Sequence, residues 1–263
     1  MSGGAEEQRS PPLALVTGGC RRLGAHISGA LAQAGYRLAL HASHNAVPDA
    51  GLSRILSQTD AQWHGFTADF SEPQTATGLM QAVANHFGSV PDLVVSSAAI
   101  FGHNRLENVT ESDLLRHYAV NSAAPVLLVQ ALAELAKGQE DQSDRVIVTI
   151  LDQRLTNPHG DQLAYALSKQ ALAGFTQIAA RELAGQGVRV NGVAPGLTLA
   201  TGHYDAAQME RLAHMMPLRH LPAPADIAEA VLYLARARSV TGQIIAVDGG
   251  AHMESYARDF LHL

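Results

Sequence analysis

Leu13-Ala14-Leu15-Val16-Thr17-Gly18-Gly19-Cys20-Arg21-Arg22-Leu23-Gly24 is the stretch whose reading decides the fold. Leu13 to Thr17 is a short run without alternation, as expected of a strand buried on both faces of a parallel sheet. A glycine-rich turn follows, and Ala25 to Ala34 reads as a helix stopped by Gly35. Strand, glycine turn and helix in that order place backbone N–H groups and a positive helix end where a pyrophosphate can sit. Gly18, Arg21, Arg22, Leu23 and Gly24 are therefore candidate dinucleotide contacts. Tyr36 to His41 reads as the second strand, closing the first βαβ unit at Ala42-Ser43-His44. An acid at that strand end would bind a ribose 2′-hydroxyl and repel a 2′-phosphate. None stands there, while Arg21, Ser43 and His44 lie close by, so NADPH is favoured over NADH.

The same alternation continues outward. A third strand falls within Gln58 to Ala68, ending at Ala68-Asp69-Phe70, and Thr75 to Phe87 is helical with Gly88 as its stop. Leu93 to Ser96 is a fourth buried strand, followed by Ser97-Ala98-Ala99-Ile100-Phe101, where small residues let backbone approach a flat cofactor. Phe101 is either a core filler or an aromatic plate facing a ligand. Thr110 to Ala136 is a long helical pattern with a capping box from Thr110 to Asp113 and a local disturbance at Asn121 and Pro125. Arg145 to Leu151 is the fifth strand, with Asp152 at its carboxyl end, the edge where open parallel sheets gather ligands. Gln162 to Ala184 is a helix whose apolar face is read as Ala164, Leu167, Ala171, Phe175, Ile178 and Leu183. Val188 to Val193 is the sixth strand. Ala194-Pro195-Gly196 opens an irregular segment from Leu197 to Pro222, a lid or a surface connection, with a short helix from Asp205 to Met215. A helix from Pro224 to Arg236 and a seventh strand, Gly242 to Val247, complete an α/β fold: a doubly wound, parallel, seven-stranded sheet with helices on both faces. Residues 12–263 read as a single domain behind a disordered tail, 1–11.

Within the helix that starts near Gln162, Tyr165 and Lys169 stand one turn apart on one face. A free phenol has a pKa near ~10, and an adjacent ammonium that lowered it to about 7 would supply on the order of 4 kcal/mol of charge interaction. The pair is a candidate proton donor for a reduction. Composition narrows the partners. Lysines and arginines number 18 against 24 acids, a net charge of -6, which offers no attraction to nucleic acid or to an anionic membrane. Cys20 is the only cysteine, a small packing residue that excludes a disulfide and points to a reducing cytoplasm. The 13 histidines show no ligand spacing, so no metal is expected; His159 and His203 are candidates for the substrate entrance but read better as solvated loop residues. The N-terminal segment, with Glu6 and Glu7, lacks the pattern of a signal peptide, and no apolar run looks long enough to span a membrane.

Together, Thr17-Gly18 with Gly24, Asp69, Asn121, Tyr165 with Lys169, Asn191-Gly192-Val193-Ala194-Pro195-Gly196 and Val247-Asp248-Gly249-Gly250 resemble the short-chain dehydrogenase/reductase family, from Leu13 to Gly250. The resemblance implies a Rossmann-like fold and a homotetramer. It implies Tyr165 as proton donor, Lys169 on the nicotinamide ribose, Asn121 in a water-linked proton relay and Asp69 at the adenine. Arg22 stands where the family has a glycine, and Asp152 stands where it has a serine. Both look like the pteridine reductase branch, including its bacterial dihydromonapterin and dihydrofolate reductase relatives. In that branch Phe101 would sandwich a pterin against the nicotinamide, Arg22 would contact phosphate and pterin, and Thr198 would lie near the phosphates. Pro195, Gly196, Leu197, Ser97, Ala98 and Phe70 join the implied cofactor or substrate contacts. His44-Asn45 replaces the branch's arginine and serine after the second strand, and Ser97 replaces an asparagine.

An ionised carboxylate at position 152 would oppose a developing alkoxide, whereas reduction of a pterin C=N bond needs a proton on nitrogen, which Asp152 beside Tyr165 can relay. The expected activity is thus NADPH-dependent reduction of a dihydropterin or folate substrate. A carbonyl or 3-oxoacyl reductase is the alternative, and a non-catalytic cofactor-binding regulator is disfavoured by the retained Tyr165, Lys169 and Asn121.

Overall fold

The computed structural model describes residues 10–137, 144–199 and 204–263; His203 and the first nine residues of the expected tail lie outside them. The strands are β1 Leu13–Thr17, β2 Arg37–Ala42, β3 Trp63–Thr67, β4 Leu93–Ser96, β5 Arg145–Ile150, β6 Val188–Pro195 and β7 Ile244–Val247. The helices are α1 Arg22–Gln33, α2 Ala50–Thr59, α3 Thr75–Phe87, α4 Glu111–Tyr118, α5 Ala124–Ala136, α6 Leu163–Leu183, α7 Ala206–Met215 and α8 Pro224–Arg236.

All pairings are parallel, and the order across the sheet is β3-β2-β1-β4-β5-β6-β7. Successive side chains of a strand point to opposite faces, so one strand feeds two cores. Leu13 and Leu15 of β1 join Val94, Ile147 and Val190 beneath α3, α5 and α6. Ala14 and Val16 join Leu38, Leu40, Val95 and Val148 beneath α1, α2 and α8. Val16 pairs with Leu40 on one side and Val95 on the other, so the winding reverses between β1 and β4. A crevice opens beyond the carboxyl ends of the strands at such a reversal.

Helix α2 was not expected. It buries only Leu52 and Leu56, one turn apart, a stripe too thin to stand out by periodicity. Its start is marked instead by Asp49, whose Oδ1 accepts the Leu52 N–H at 2.9 Å. The Thr110 capping box is present, with Asp113 N–H donating to the Thr110 hydroxyl and Thr110 N–H to the Asp113 carboxylate. The expected disturbance is a π-helical turn, Ala119–Ala123, between α4 and α5, with Pro125 in the first turn of α5 where its missing N–H is harmless. Taken with that turn as one segment, Glu111–Ala136 is 26 residues long with hydropathy 1.4 in its most apolar stretch, which corrects the expectation that no run reaches membrane-spanning length. That stretch is 56% buried, because Leu128, Val129 and Leu132 pack into the core.

The apolar face assigned to α6 also needs correction. Leu167 and Ile178 are 52% and 63% exposed, and Ala171 is exposed with them. Ala164 and Leu183 are buried as expected and Phe175 partly so, but the rest of the buried face is Ser168, Leu172, Thr176 and Ala180. Small residues let α6 lie close to the sheet, where Thr176 and Thr149 share a hydroxyl hydrogen bond of 2.8 Å. The segment after β6 is anchored from Asp205 onward: Leu212 and Met216 pack on Ala251 and Phe260 of the C-terminal tail.

Candidate active site

The crevice at the β1/β4 reversal holds a cleft of about 1160 Å³. It is larger than a single drug-sized ligand requires and suits a dinucleotide with a second, flat molecule. One end is built by the β1–α1 turn. Gly18 has φ +64°, and a Cβ there would meet the Ala98 backbone at 3.0 Å, so glycine lets β1 and β4 pass closely. Arg21 is the extended cap of α1, leaving the first-turn N–H groups without a side-chain acceptor. Arg22 takes φ 53°, the left-handed region that glycine fills at lower cost. Turn, helix end and two exposed arginines fit a pyrophosphate.

The β2 side of this end is held by a residue the sequence did not flag. His41 Nε2 donates to Ala68 O at 2.9 Å and its Nδ1 accepts the Gly18 N–H at 3.3 Å, while Phe70 stacks on the ring at 4.4 Å. Burial pushes the imidazole below its ordinary value against the Ala68 bond, so the ring is neutral. Ser43 and His44 follow, exposed and bonded to each other at 2.9 Å. Asp69 is exposed, and hydrogen bonds from Ser71 hold its carboxyl below the usual range. Ser97 and Ala98 form the floor, both N–H groups donating to Thr17 Oγ1 at 3.0 Å.

The other end carries the chemistry. Asp152 leaves β5 in extended conformation and caps the following 3-10 turn, accepting the Arg154 N–H on Oδ1 at 2.9 Å. This leaves Oδ2 to accept from Tyr165 Oη at 3.0 Å and from Arg154 Nη1 at 3.3 Å. Phe101, 52% exposed, meets the Tyr165 ring edge-on at 4.8 Å. Lys169 is buried beneath, its Nζ donating to Ile150 O at 2.6 Å. Pro195, Gly196, Leu197 and Thr198 close the wall, with the Thr198 hydroxyl on Gly196 O at 2.9 Å.

The expected effect of Lys169 on the phenol is not what the structure gives. Burial, then the Asp152 charge, pushes Tyr165 well above its ordinary value, with Arg154 opposing. The ammonium is directed to the sheet edge, 5.7 Å from the ring centre. The phenol is accordingly held in its protonated form. Lys169 itself is lowered to about 8 by burial, against the attraction of Asp152.

Every predicted site residue but one lines this cleft. The exception is Asn121, fully buried in the π turn. Its Oδ1 accepts the Ile100 N–H at 2.8 Å, and its Nδ2 donates to Ile100 O and Ser168 Oγ at 3.0 and 2.9 Å. It pins the loop after β4 to α6, its hydrogen bonds going to Ile100 and Ser168 and not to Tyr165 or Lys169. The cleft also contains residues that sequence reasoning missed: Arg154, Gln162, Tyr204 and Asp259. His159, expected in solvent, has a side chain only 5% exposed. Gln162 is 2% exposed, sits at φ 59° and has no partner for its Oε1, a strained polar residue of the kind found where ligands bind. Arg154 was legible as a cation two positions past Asp152; Asp259 had no local signal.

A dinucleotide crevice ending in a tyrosine, a buried lysine and a carboxylate defines a nucleotide-dependent oxidoreductase. The family model described as Enoyl-(Acyl carrier protein) reductase matches residues 20–252, and the chain belongs to the short-chain dehydrogenase/reductase family, its likeness extending to the pteridine reductase-like branch. Pteridine reductase 1 of Leishmania tarentolae is 30% identical, over 91% of this chain and 96% of that protein. The human (3R)-3-hydroxyacyl-CoA dehydrogenase is 33% identical, over 72% of this chain and 73% of that one. The crystal structure of FolM alternative dihydrofolate reductase 1 from Brucella suis in complex with NADP is 30% identical, covers 95% of this chain and 98% of its own, and superposes with a TM-score of 0.82.

Proposed function

We propose that this enzyme reduces dihydropteridines with NADPH, taking a substrate such as dihydrobiopterin, dihydromonapterin or dihydrofolate to its tetrahydro form. The observation that carries the reading is the Tyr165 hydroxyl bonded to the Asp152 carboxylate at 3.0 Å, where a ketone reductase needs a neutral donor. When bound along this cleft, NADPH would supply the hydride needed at the C=N carbon. Arg21, Ser43 and His44 surround the place of the 2′-phosphate, Arg22 and the α1 N-terminus that of the pyrophosphate, and Lys169 the nicotinamide ribose. Phe101 holds the flat heterocycle over the cofactor ring. Tyr165 donates its proton to the substrate nitrogen, and Asp152 polarises and realigns the phenol, a protonated acid at working pH.

The hydroxyacyl-CoA dehydrogenase relative supports a second reading, reduction of a 3-oxoacyl group. NADPH oxidation by the purified protein with dihydropterins, dihydrofolate and a panel of ketones separates the two. Turnover of dihydropterin with inhibition by methotrexate supports the first; turnover of ketones alone rejects it. The proposal includes a cytoplasmic homotetramer. Leu114, Leu115 and Tyr118 of α4 and Leu167 and Ile178 of α6 form an exposed apolar face suited to another copy of the chain, and free, buried Cys20 suits a reducing compartment.

A further inference from the structure

Arg154 is 12% exposed at its side chain, in surroundings where an unpaired guanidinium would be costly. Its Nη1 donates to Asp152 Oδ2 at 3.3 Å, its Nη2 to Asp259 Oδ2 at 2.6 Å and its Nε to His159 Nε2 at 3.1 Å. The guanidinium carbon lies 5.8 Å from the centre of the Phe101 ring and 5.9 Å from that of Tyr165. The groups that bracket the substrate end of the cleft thus meet at one side chain. Burial opposes its charge, and Asp152 and Asp259 outweigh burial and hold it protonated.

Asp259 arrives from the C-terminal tail, 105 positions along the chain from Arg154. Asp161 secures it there. One oxygen of Asp161 accepts the Asp259 N–H at 2.9 Å and Arg258 Nε at 2.8 Å; the other accepts Arg105 Nη1 at 3.1 Å. The carboxylates of Asp152, Asp161 and Asp259 are thereby matched by the guanidiniums of Arg105, Arg154 and Arg258. His159 accepts from Arg154 as a neutral ring, pushed down by burial and by the arginine charge.

We propose that Arg154 is a positioning residue for the Asp152–Tyr165 pair, and that the C-terminal tail completes the active site by clamping Arg154 through Asp259. The inference rests on reading that pair as the proton source. A guanidinium held at its far nitrogen by Asp259 presents one edge to Asp152 and leaves Oδ2 in line with the phenol. Released from Asp259, the same fork is free to grip both Asp152 oxygens and draw the carboxylate off the phenol.

The test uses full-length Asp259→Asn, Arg154→Gln, Arg154→Lys and the double variant Arg154→Gln/Asp259→Asn. NADPH affinity is read by nicotinamide fluorescence, and kcat and KM are measured with whichever dihydropterin or ketone the unaltered enzyme reduces. Asp259→Asn lowers kcat by about tenfold or more, as displaced catalytic geometry does, with NADPH affinity within about twofold. Arg154→Gln does the same, and the double variant is no slower than Arg154→Gln alone, because both act through one contact. Arg154→Lys keeps the buried charge, and with it the fold, yet is as slow as Arg154→Gln because one ammonium cannot span both carboxylates. Undiminished kcat in Asp259→Asn, multiplicative losses in the double variant, or full activity in Arg154→Lys each overturn the clamp. An unaltered enzyme that reduces ketones and no dihydropterin rejects the substrate reading alone, and the clamp is then judged by the same criteria on ketone kcat.

Discussion

Replacing Asp152 by asparagine isolates the carboxylate's charge, because shape and backbone capping are retained. The oxygen that faces Tyr165 Oη at 3.0 Å also faces Arg154 Nη1 at 3.3 Å. A hydrogen bond to a charged group contributes about 1.5–3 kcal/mol. Arg154 keeps its 2.6 Å contact with Asp259, so the guanidinium is not left unpaired and the loss falls at the low end. For a chain of 263 residues, a loss of about 1–2 kcal/mol lowers Tm by roughly 2–8 °C. The catalytic effect is larger. Positioned proton transfer typically contributes 10²–10⁴-fold, and since Tyr165 remains, roughly 10²-fold in kcat is expected, with the KM for NADPH nearly unchanged. Calorimetry and steady-state NADPH oxidation measure the two effects on one sample. If Asp152→Asn keeps kcat within about threefold, the carboxylate is only a turn cap and the proton-relay argument fails. Asp152→Ser goes further, replacing a carboxylate that opposes an oxyanion with a hydroxyl that donates to it. It is expected to lose dihydropterin turnover and gain ketone turnover; an unchanged dihydropterin rate would remove the reason for preferring a pterin.

Phe101→Ala removes an aromatic ring that is already 52% exposed, so stability changes little. The lost stacking, about 0.5–1.5 kcal/mol, raises the KM for dihydropterin by up to about tenfold and leaves NADPH affinity intact by fluorescence titration. Arg21→Ala weakens NADPH by on the order of tenfold or more and NADH hardly at all, because only the former carries the extra phosphate; equal losses for both cofactors would place the 2′-phosphate elsewhere. Lys169 titrates at about 8 when folded, below its ordinary 10.5. Between those values the unfolded chain holds a proton that the folded chain lacks, so this group's contribution to stability rises with pH there, while activity that needs the ammonium declines through about pH 8. Urea unfolding at stepped pH should show the rise in the unaltered protein and lose it in Lys169→Met, which is inactive at every pH.

Strand positions needed little beyond local pattern, whereas their order across the sheet came from the structure. Buried parallel strands such as Val146–Ile150 are apolar on both faces and stand out as unbroken runs, and Gly18 and Gly24 mark the only kind of turn that fits between β1 and α1. The cleft-lining positions at strand ends were legible for the same reason, since an open parallel sheet delivers Asp69, Ser97, Asp152 and Gly196 to one edge wherever the helices lie. Helix α2 escaped because two leucines make too thin a stripe, and the face of α6 was only partly legible because close packing on the sheet selects small residues and leaves Leu167 and Ile178 outside. What only the tertiary structure decided is the electrostatics of the substrate end. Tyr165 and Lys169 stand one turn apart in any helix, but burial and the angle of approach to β5 determine that the ammonium meets Ile150 O and the phenol meets Asp152. Arg154 and Asp259 are separated by more than a hundred residues. Coulomb interactions act through space and depend on burial, and neither distance nor burial is written in the order of residues along the chain.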